Sequence, residues 1–371
     1  MKGVASAKAD GTSGVTGRGP ANPLSYFEFW PGWLFYTPVV IHWLALGLRY
    51  GDFSLPTAAN PFIETGGLCG ESKLDILNQI SPAMRPMVAP ATGFNTHPDD
   101  ASQDTVAAEG AMRAAGLAYP VVVKPDIGCN GAGVRLIRTR GDFDRYFPGF
   151  PRGTRAVLQE FVPYPGEAGI FYVRQPHEPK GRITSLTIKI PPVVTGDGRR
   201  TLRELVLDDP RAGKVPDLYL PRLTHRLAEI PPSGERVRLV FVGNHCRGSI
   251  FRNGLDHATP ALTRSIERFA RALPEFHFGR IDVRYRDLAS LRRGEGFRVI
   301  EVNGAGSEAT HIWDPSTTLA DAWRAQFFHY GQAFRIGAAN RARGFASSGV
   351  RAMARGWRMQ RRLMSAYPLN D

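Results

Sequence analysis

One stretch of the 371-residue chain, residues 278–303, strongly limits what the chain can fold into. It reads FGRIDVRY, a polar connector and FRVIEVN, and at both ends β-branched residues alternate with polar ones at the strand period of two. This period puts Arg280 and Asp282 on one face of the first strand, and Glu301 and Asn303 on one face of the second. If the strands pair, their shared face offers the oxygen ligands that Mg²⁺ prefers, often together with phosphate oxygens. The alternative is a polar strand pair that faces solvent.

Composition indicates a globular protein with room for two domains or one two-lobed domain. Hydrophobic residues make up 43% of the chain and charged residues 22%. The three cysteines, Cys69, Cys129 and Cys246, are odd in number and lack metal-ligand spacing, which favours a reducing, cytoplasmic setting. The net charge of +13 indicates an anionic partner such as a nucleotide, a membrane surface or a nucleic acid.

The first 70 residues contain little that is typical of an ordinary domain. Residues 1–23 have almost nothing to bury and are predicted to form a disordered lead. Residues 24–70 are aromatic and proline-rich, and residues 29–48 within them carry no charge. This run approaches the length of a membrane span, but Pro31 and Pro38 interrupt it. We predict a buried or interfacial helix here, with a membrane span as the alternative, and then a strand within residues 53–60.

Helical and strand patterns alternate along the body of the chain, which indicates an α+β or α/β fold. Helices are predicted within residues 74–80, 102–115, 201–208, 260–273 and 319–334. Residues 336–371 form a basic tail with an amphipathic segment. Its apolar side carries Val350, Met353, Trp357 and Met364, and its basic side carries Arg351, Arg355, Arg358 and Arg362. Such a helix can contact anionic lipid at a membrane surface, and the alternatives are a helix packed on the body or a flexible tail.

A second informative stretch, residues 119–137, combines a lysine with a glycine-bearing loop. Lys124 ends a predicted strand, and the loop at residues 128–133 leads into another strand. Main-chain N–H groups in such a loop can surround phosphate oxygens while the lysine neutralises them. The loop is neither a Walker A motif nor a Rossmann fingerprint, because a strand rather than a helix follows it. A plain β-hairpin is the alternative.

Two further segments offer polar groups at the ends of strands. In VLQEFVPYPGE, Gln159 and Glu160 could meet an adenine edge and Glu167 a ribose, or the segment is an edge strand with a surface loop. Lys189 lies on an alternating strand and offers a second phosphate contact, although a solvated lysine is the alternative. In residues 243–254, the groups that could contact an anionic substrate are His245, Arg247, Arg252 and Asn253. No nucleophile–His–acid grouping can be identified.

In their order along the chain, these motifs resemble the ATP-grasp superfamily. PVVVKPDIGCNGAGV, LQEFVPYPGE, GRIDVRY and VIEVNG are similar to its carboxylate–amine ligases, which include D-alanine–D-alanine ligases, glutathione synthetases and cyanophycin synthetases. The resemblance covers roughly residues 71–330. It implies an α+β ATP-grasp fold over residues 71–335, with a nucleotide lobe at about 71–165 and a metal and substrate lobe at about 166–335. The aromatic region at residues 24–70 departs from the family, whose members usually begin with a full α/β domain.

The resemblance also implies roles for individual residues. The residues implied to contact ATP are Lys73, Lys124, Gly128, Asn130, Gly131, Gly133, Gln159, Glu160, Phe161, Val162 and Glu167. Asp282, Glu301 and Asn303 would hold Mg²⁺ (or Mn²⁺), and Arg280 and Lys189 would stabilise charge during catalysis. After Asn303, the substrate contacts could come from Ser307, Thr310 and His311, although His311 could equally be a packing residue.

The implied activity is an ATP- and Mg²⁺-dependent ligase that joins a small-molecule carboxylate to an amine through an acyl phosphate. Two alternatives remain open, a small-molecule kinase that uses the same cleft and a binding module that holds ATP without turnover. Nucleic acid is not predicted as a partner, because the arginine-rich tail lacks interleaved stacking aromatic residues apart from Trp357.

Overall fold

The computed structural model describes residues 24–368, so the predicted disordered lead lies outside the described residues. The helices are α1 (Gly32–Tyr50), α2 (Lys73–Asn78), α3 (Asp104–Ala114), α4 (Arg140–Tyr146), α5 (Leu202–Asp208), α6 (Pro260–Ala270), α7 (Leu288–Arg292), α8 (Leu319–Ala342) and α9 (Val350–Ala366). The strands are β1 (Ala91–Asn95), β2 (Val121–Pro125), β3 (Arg135–Ile137), β4 (Arg155–Glu160), β5 (Gly166–Val173), β6 (Arg182–Ile190), β7 (Val193–Thr195), β8 (Arg236–Arg238), β9 (Ile250–Asn253), β10 (Phe278–Tyr285) and β11 (Phe297–Asn303).

The first lobe is an antiparallel four-stranded sheet in the order β1-β4-β2-β3. Alternate residues of β2, such as Val121 and Val123, join a buried cluster with Phe143 and Phe147 from the α4 segment. Because successive side chains of a strand point to opposite faces, Lys124 lies on the face away from this cluster. The apolar face therefore fixes the lobe and leaves the other face available for a site.

The second lobe is an antiparallel five-stranded sheet in the order β11-β10-β5-β6-β9. One face buries Ile170, Ile281 and Val283 against the apolar stripe of α6, which includes Ile266 and Phe269. The connection between β4 and β5 links the two sheets, and the predicted lobe boundary near residue 165 lies in it. The predicted α+β class and its two lobes are confirmed.

The strand expected within residues 53–60 was wrong, because Leu55–Ala59 forms a 3₁₀-helix. Its backbone packs closely on α8, where a side chain at Gly337 would collide with the Leu55 carbonyl, and Asn340 donates a hydrogen bond to the Ala58 carbonyl (2.9 Å). These side-chain contacts replace the ladder hydrogen bonds that a strand would require.

The helix predicted within residues 29–48 is present as α1, which begins at Gly32, ends at Tyr50 and packs on α8. Phe35 and Val39 are buried, whereas Trp33, Ile41 and Leu48 are exposed. Within residues 24–368, no helix is both long enough and apolar enough to cross a membrane. Contact between the exposed side of α1 and a membrane surface stays a prediction.

Candidate active site

Residues of both sheets line a cleft with a volume of about 460 Å³. Every residue predicted for the nucleotide, metal and catalytic roles lines this cleft except Gly133. Gly133 instead lies against Pro125 and Tyr367, and its carbonyl accepts a hydrogen bond from the Tyr146 hydroxyl (2.6 Å). The structure thus gathers side chains from five separate stretches of the sequence into one site.

The polar face predicted for residues 278–303 is present on β10 and β11. In the antiparallel register, Asp282 lies opposite Glu301 and Arg280 lies opposite Asn303. The register shifts immediately after Asp282, so that Ile300 has no partner across the ladder. Such a bulge redirects the backbone next to the two acidic residues, and bulges are common beside active sites.

Asp282 is buried between two cations. Its Oδ1 lies 3.0 Å from Lys189 Nζ and 3.1 Å from Arg280 Nε, and Asn303 Nδ2 donates to its Oδ2 (3.2 Å). Burial acts to raise the pKa of the Asp282 carboxyl, but Arg280 and Lys189 outweigh it, and the pKa falls below its ordinary value. Gly169 makes this grouping possible, because a Cβ there would lie only 3.0 Å from Asp282 Oδ1.

Lys189 links two carboxylates across the second sheet. Its Nζ is 3.0 Å from Asp282 Oδ1 and 3.2 Å from Glu167 Oε1. Burial alone would lower the pKa of Lys189, but the two carboxylates raise it above its ordinary value, so the amine stays protonated. Glu167 also lies 3.1 Å from Arg284 Nη1, so the residue expected at the ribose is already paired with two cations.

Lys124 reaches from the first lobe to the second. Its Nζ donates to Gln159 Oε1 and to the main-chain carbonyl of Ile300, both at 3.0 Å. Burial lowers the pKa of Lys124 from its ordinary 10.5 to about 8, although the Glu301 carboxylate opposes this shift. The Ile300 carbonyl at the bulge therefore positions a lysine of lowered pKa in the cleft.

The glycine loop lies beside a second lysine. Lys73 Nζ donates to the Gly128 carbonyl and lies 3.8 Å from Glu301 Oε1. Asn130 and Gly131 have φ of 54° and 65°, and a Cβ at Gly131 would lie 2.3 Å from a methyl carbon of Val242. The loop thus needs glycine at residue 131, both for its left-handed backbone and for close packing.

Residues 159–162 form the end of β4 and the start of the connection to the second lobe. Gln159 donates to the Ala89 carbonyl (3.2 Å), and the main-chain N–H of Glu160 donates to the Pro90 carbonyl (2.8 Å). Phe161 lies in the cleft with Phe241, their ring centroids 6.3 Å apart. Two aromatic rings at this end of the cleft suit a flat, apolar ligand group such as a purine.

Of the other residues predicted to contact substrate, some line the cleft and some do not. His245, Ser307 and Thr310 line the cleft, whereas His311 bonds Ser185 (2.7 Å) away from it and is a packing residue. His245 stacks on Trp313, and burial, aided by nearby arginines, lowers its pKa to about 3. It is therefore neutral at physiological pH.

Arg247, Arg252 and Asn253 do not line the cleft. Arg247 donates to the Asn130 carbonyl of the glycine loop (3.2 Å). Arg252 lies 4.0 Å from Asp314, and the Asn253 backbone bonds the same residue. The prediction that this trio contacts substrate directly is not supported by their positions.

Several cleft residues could not be identified from local sequence. Tyr36 of α1, Tyr330 of α8 and Gln360 of α9 line the cleft and come from segments without a site motif, whereas Glu308, which also lines it, lies between the predicted Ser307 and Thr310. Glu71 was not predicted either, although it lies only two residues before Lys73, which was. Burial raises the pKa of the Glu71 carboxyl above its ordinary value.

Helix α9 packs against the glycine loop and is not a free tail. Gln360 Oε1 accepts a hydrogen bond from the Gly70 N–H (2.7 Å), and the Tyr367 hydroxyl donates to the Ile127 carbonyl (2.7 Å). Met364 Sδ lies 3.2 Å from Cys129 Sγ, while Val350 and Trp357 are more than half exposed. The predicted apolar side was therefore partly wrong, because packing selects Met353 and Met364 without Val350 and Trp357.

The acidic face has the donor chemistry of a magnesium site. Within residues 24–368, no group of three or more His, Cys, Asp or Glu side chains could hold a metal ion. Asp282, Glu301 and Asn303 provide two carboxylates and an amide, and the Glu301 side chain is 26% exposed, with Lys73 Nζ 3.8 Å from its Oε1. This set fits a hard cation that takes its remaining ligands from phosphate oxygens and water.

Comparison with known proteins finds a partial sequence match to cyanophycin synthetases. No family model matches the chain. Cyanophycin synthetases from Trichormus variabilis and Nostoc sp. are each 24% identical over 215 residues, and the match covers 52% of this chain and 23% of theirs. The chain thus spans about a quarter of the curated relatives it matches.

Similar solved structures are also ligases. A D-Ala:D-Ser ligase from Enterococcus faecalis is 13% identical, with 72% of this chain and 64% of that chain covered and a TM-score of 0.40. A bifunctional glutathione synthetase from Pasteurella multocida is 14% identical, with 69% and 36% covered and a TM-score of 0.34. At these scores the likenesses carry no conclusion about the site or the substrate.

Proposed function

We propose that the protein is an ATP- and Mg²⁺-dependent ligase that joins a carboxylate to an amine through an acyl phosphate. The observation that carries the proposal is a single cleft in which Lys73 and Lys124 face the Asp282–Glu301 pair, with Arg280 beside it. The sequence likeness to cyanophycin synthetases supports the ligase class. A reaction that consumes ATP also agrees with the reducing, cytoplasmic setting that the cysteines indicate.

In this proposal, the first lobe binds most of the nucleotide. Lys73, Lys124 and the glycine loop neutralise and surround the phosphates, since clustered N–H groups and ammonium groups stabilise anions. Adenine lies near Phe161, with main-chain groups of Glu160 and Val162 at its edge. Glu167 contacts the ribose only if one of its two ion pairs opens.

The second lobe is proposed to bring the phosphates and the carboxylate together. Mg²⁺, held by Asp282, Glu301 and Asn303, would neutralise phosphate charge when bound. The protonated Lys189 and the Arg280 guanidinium hold positive charge at the same face and would stabilise the reacting anions. The two cations cost little reorganisation at the moment of reaction, because Asp282 already fixes both.

The proposed chemistry proceeds in two displacements. A substrate carboxylate oxygen attacks the γ-phosphorus of ATP, the bond to the β,γ-bridging oxygen breaks, and ADP leaves. The amine nitrogen then attacks the acyl carbon, phosphate departs with the carboxylate oxygen, and the nitrogen loses a proton to give an amide. Positioning and charge neutralisation suffice for both displacements, so the lack of a recognisable protein nucleophile is not an objection.

The test is ADP release measured with a panel of amino acids and acyl donors in the presence of Mg²⁺. The proposal predicts ADP release that requires both a carboxylate and an amine, with equal free phosphate and an amide product. Transfer of phosphate to a stable product would identify a kinase. Nucleotide binding with no turnover on any pair would identify a binding module.

A further inference from the structure

One part of the cleft, here called the pocket, is lined by residues that the nucleotide roles leave unused. Its walls include Tyr36 from α1, Tyr330 from α8, and Glu308 and Thr310 from the loop after β11. Arg280 Nη1 donates to the main-chain carbonyl of Glu308 (3.1 Å), so this pocket adjoins the guanidinium proposed to stabilise the acyl phosphate.

The Glu308 carboxylate is oriented by neutral donors. Its Oε1 accepts hydrogen bonds from the Tyr36 hydroxyl and from Gln326 Nε2, both at 2.6 Å, and its Oε2 accepts from Trp313 Nε1 (3.3 Å). Within residues 24–368, no lysine, arginine or histidine forms an ion pair with this carboxylate. An ionised carboxylate has about four acceptor positions, so it can accept a further donor from the cleft.

The surroundings of Glu308 favour a cationic ligand group. The Glu308 side chain is partly buried, its three hydrogen-bond donors are neutral, and among the described residues Arg280 acts on it electrostatically without forming an ion pair, so its negative charge can still attract a further cation. The aromatic rings of Tyr36 and Tyr330 also line the pocket, and such rings attract cations through their faces. Burial and the nearby Glu308 carboxylate both raise the pKa values of Tyr36 and Tyr330 above the ordinary value of a tyrosine. Both hydroxyls therefore stay protonated.

A second observation indicates that a ligand belongs here. Thr310 is 7% exposed and lines the same cleft. Among the described residues, its hydroxyl has no hydrogen-bond partner. A buried hydroxyl without a partner is uncommon in folded proteins, and a polar group of a bound molecule would satisfy it.

We propose that Glu308, Tyr36 and Tyr330 form the subsite for the amine substrate, which binds as a protonated amine beside Arg280 and passes one proton to the Glu308 carboxylate before its nitrogen attacks. This inference rests on the proposed ligase activity and adds the charge of the second substrate and its place in the cleft. It also gives a role to the aromatic N-terminal segment, because α1 supplies Tyr36.

A purely structural role for Glu308 makes a different prediction. In that case the carboxylate serves only to connect α1, α8 and Trp313 as a hydrogen-bond acceptor. The amide oxygen of glutamine could serve the same purpose, whereas a cation subsite needs the negative charge. Glu308→Gln therefore separates the two roles.

The experiment compares n-butylamine, which is protonated at pH 7.5, with neutral n-butanol by NMR titration of the full chain. Mg²⁺ and a non-hydrolysable ATP analogue are present at saturation. The subsite predicts that the unmodified protein binds butylammonium about tenfold more tightly than butanol, as expected for a charge-assisted hydrogen bond. Glu308→Gln removes this preference, and Tyr36→Phe, which removes one orienting donor, reduces it. Glu178→Gln, at an exposed position, leaves it unchanged.

Equal binding of the two probes by the unmodified protein, or a preference that survives in Glu308→Gln, would overturn the proposal. Unchanged far-UV circular dichroism and unchanged affinity for the ATP analogue show that each variant is folded. If Glu308→Gln does not fold, the Tyr36→Phe variant is used instead. If Tyr36→Phe prefers butylammonium over butanol as strongly as the unmodified protein does, the result counts against the subsite. If the unmodified protein prefers butylammonium but does not bind the ATP analogue, the result contradicts the ligase activity and still supports a cation subsite.

Discussion

Asp282 and Glu301 lie opposite each other but differ in how firmly the protein holds them. Asp282 is buried with two cationic partners, and removing one partner of a buried ion pair costs about 3–5 kcal/mol. Glu301 is partly exposed with one lysine at 3.8 Å, a contact worth about 0–1 kcal/mol. Glu301 is therefore the better residue for testing the metal role without unfolding the protein.

We predict that Glu301→Ala lowers ATP turnover by about a hundredfold or more, the usual scale for loss of a group that stabilises transition-state charge. The midpoint of thermal unfolding should change little. Glu295→Ala, at an exposed residue shortly before β11, is the matched control and should retain full activity. Full activity in Glu301→Ala would remove this residue from the metal site.

Lys124 makes nucleotide binding dependent on pH. Because its pKa in the free protein is lowered to about 8, the ammonium loses its proton as the pH rises through that value. A neutral amine cannot pair with phosphate, so affinity should be constant below about pH 7.5 and should then fall by up to about tenfold per pH unit. Calorimetric titration with a non-hydrolysable ATP analogue from pH 7 to 9.5 measures this dependence.

The matched variant for this prediction is Lys124→Met, which has no charge to lose. It should bind the analogue weakly, and its affinity should not change over the same pH range. An unmodified protein whose affinity is flat, or increases, across pH 8 would contradict the role of Lys124.

Local sequence patterns were sufficient to identify the site residues that lie within motifs. Asp282 and Glu301 followed from strand alternation, and Lys124 from its place before a glycine loop. Tyr36 and Glu308 could not be predicted, because only the packing of α1 on α8 brings the tyrosine hydroxyl to the carboxylate. Glu167 was placed in the cleft correctly, but its two ion pairs depend on the register of β5 with β6 and β10.

At the scale of elements, α9 has the clearest consequence for function. Gln360 of the helix donates to Cys129 Sγ in the glycine loop (3.4 Å), and Tyr367, directly after the helix, donates to the Ile127 carbonyl, whereas the arginine-rich side of the helix faces outward. Two hydrogen bonds of about 1 kcal/mol each contribute at most about 2 kcal/mol to the position of this loop. The loop and the helix therefore form one unit whose order affects the phosphate site.

We predict that the double variant Gln360→Ala/Tyr367→Phe weakens binding of the ATP analogue by roughly tenfold, because α9 then releases the loop. The control is Arg358→Ala/Arg362→Ala on the exposed side of the same helix, which should bind as the unmodified protein does. Calorimetric titration measures the affinity of both double variants for the ATP analogue. Equal affinity in the two double variants would show that α9 does not support the loop.

Sequence patterns predicted the existence of α1 and α9 but not what they contact. Periodicity identifies an apolar side, yet it does not say which surface covers that side. Val350 and Trp357 belong to the periodic stripe of α9 and are nevertheless exposed, because Gly356 approaches Gly70 and sets the rotation of the helix. The strand predicted within residues 53–60 was wrong for a related reason, because contacts of residues 55–59 with α8 override the local preference for a strand.

In the whole molecule, the two larger sheets, the N-terminal helix α1 and the C-terminal helix α9 all contribute residues to one cleft. The sheets were predictable because their motifs occur in a recognisable order. The contacts of the two terminal helices were not predictable, because these helices have no such motif and act through long-range packing. Both helices contribute residues to the cleft, Tyr36 from α1 and Gln360 from α9.

The most direct test of this account follows the oxygen of the substrate carboxylate. The protein is incubated with Mg²⁺, ATP, the amine and the ¹⁸O-labelled carboxylate that together release ADP, and the phosphate is analysed by mass spectrometry. An acyl phosphate that an amine displaces predicts that the released phosphate carries ¹⁸O and that an amide forms in equal amount. Unlabelled phosphate, or phosphate retained on the product, would contradict the proposed ligase reaction.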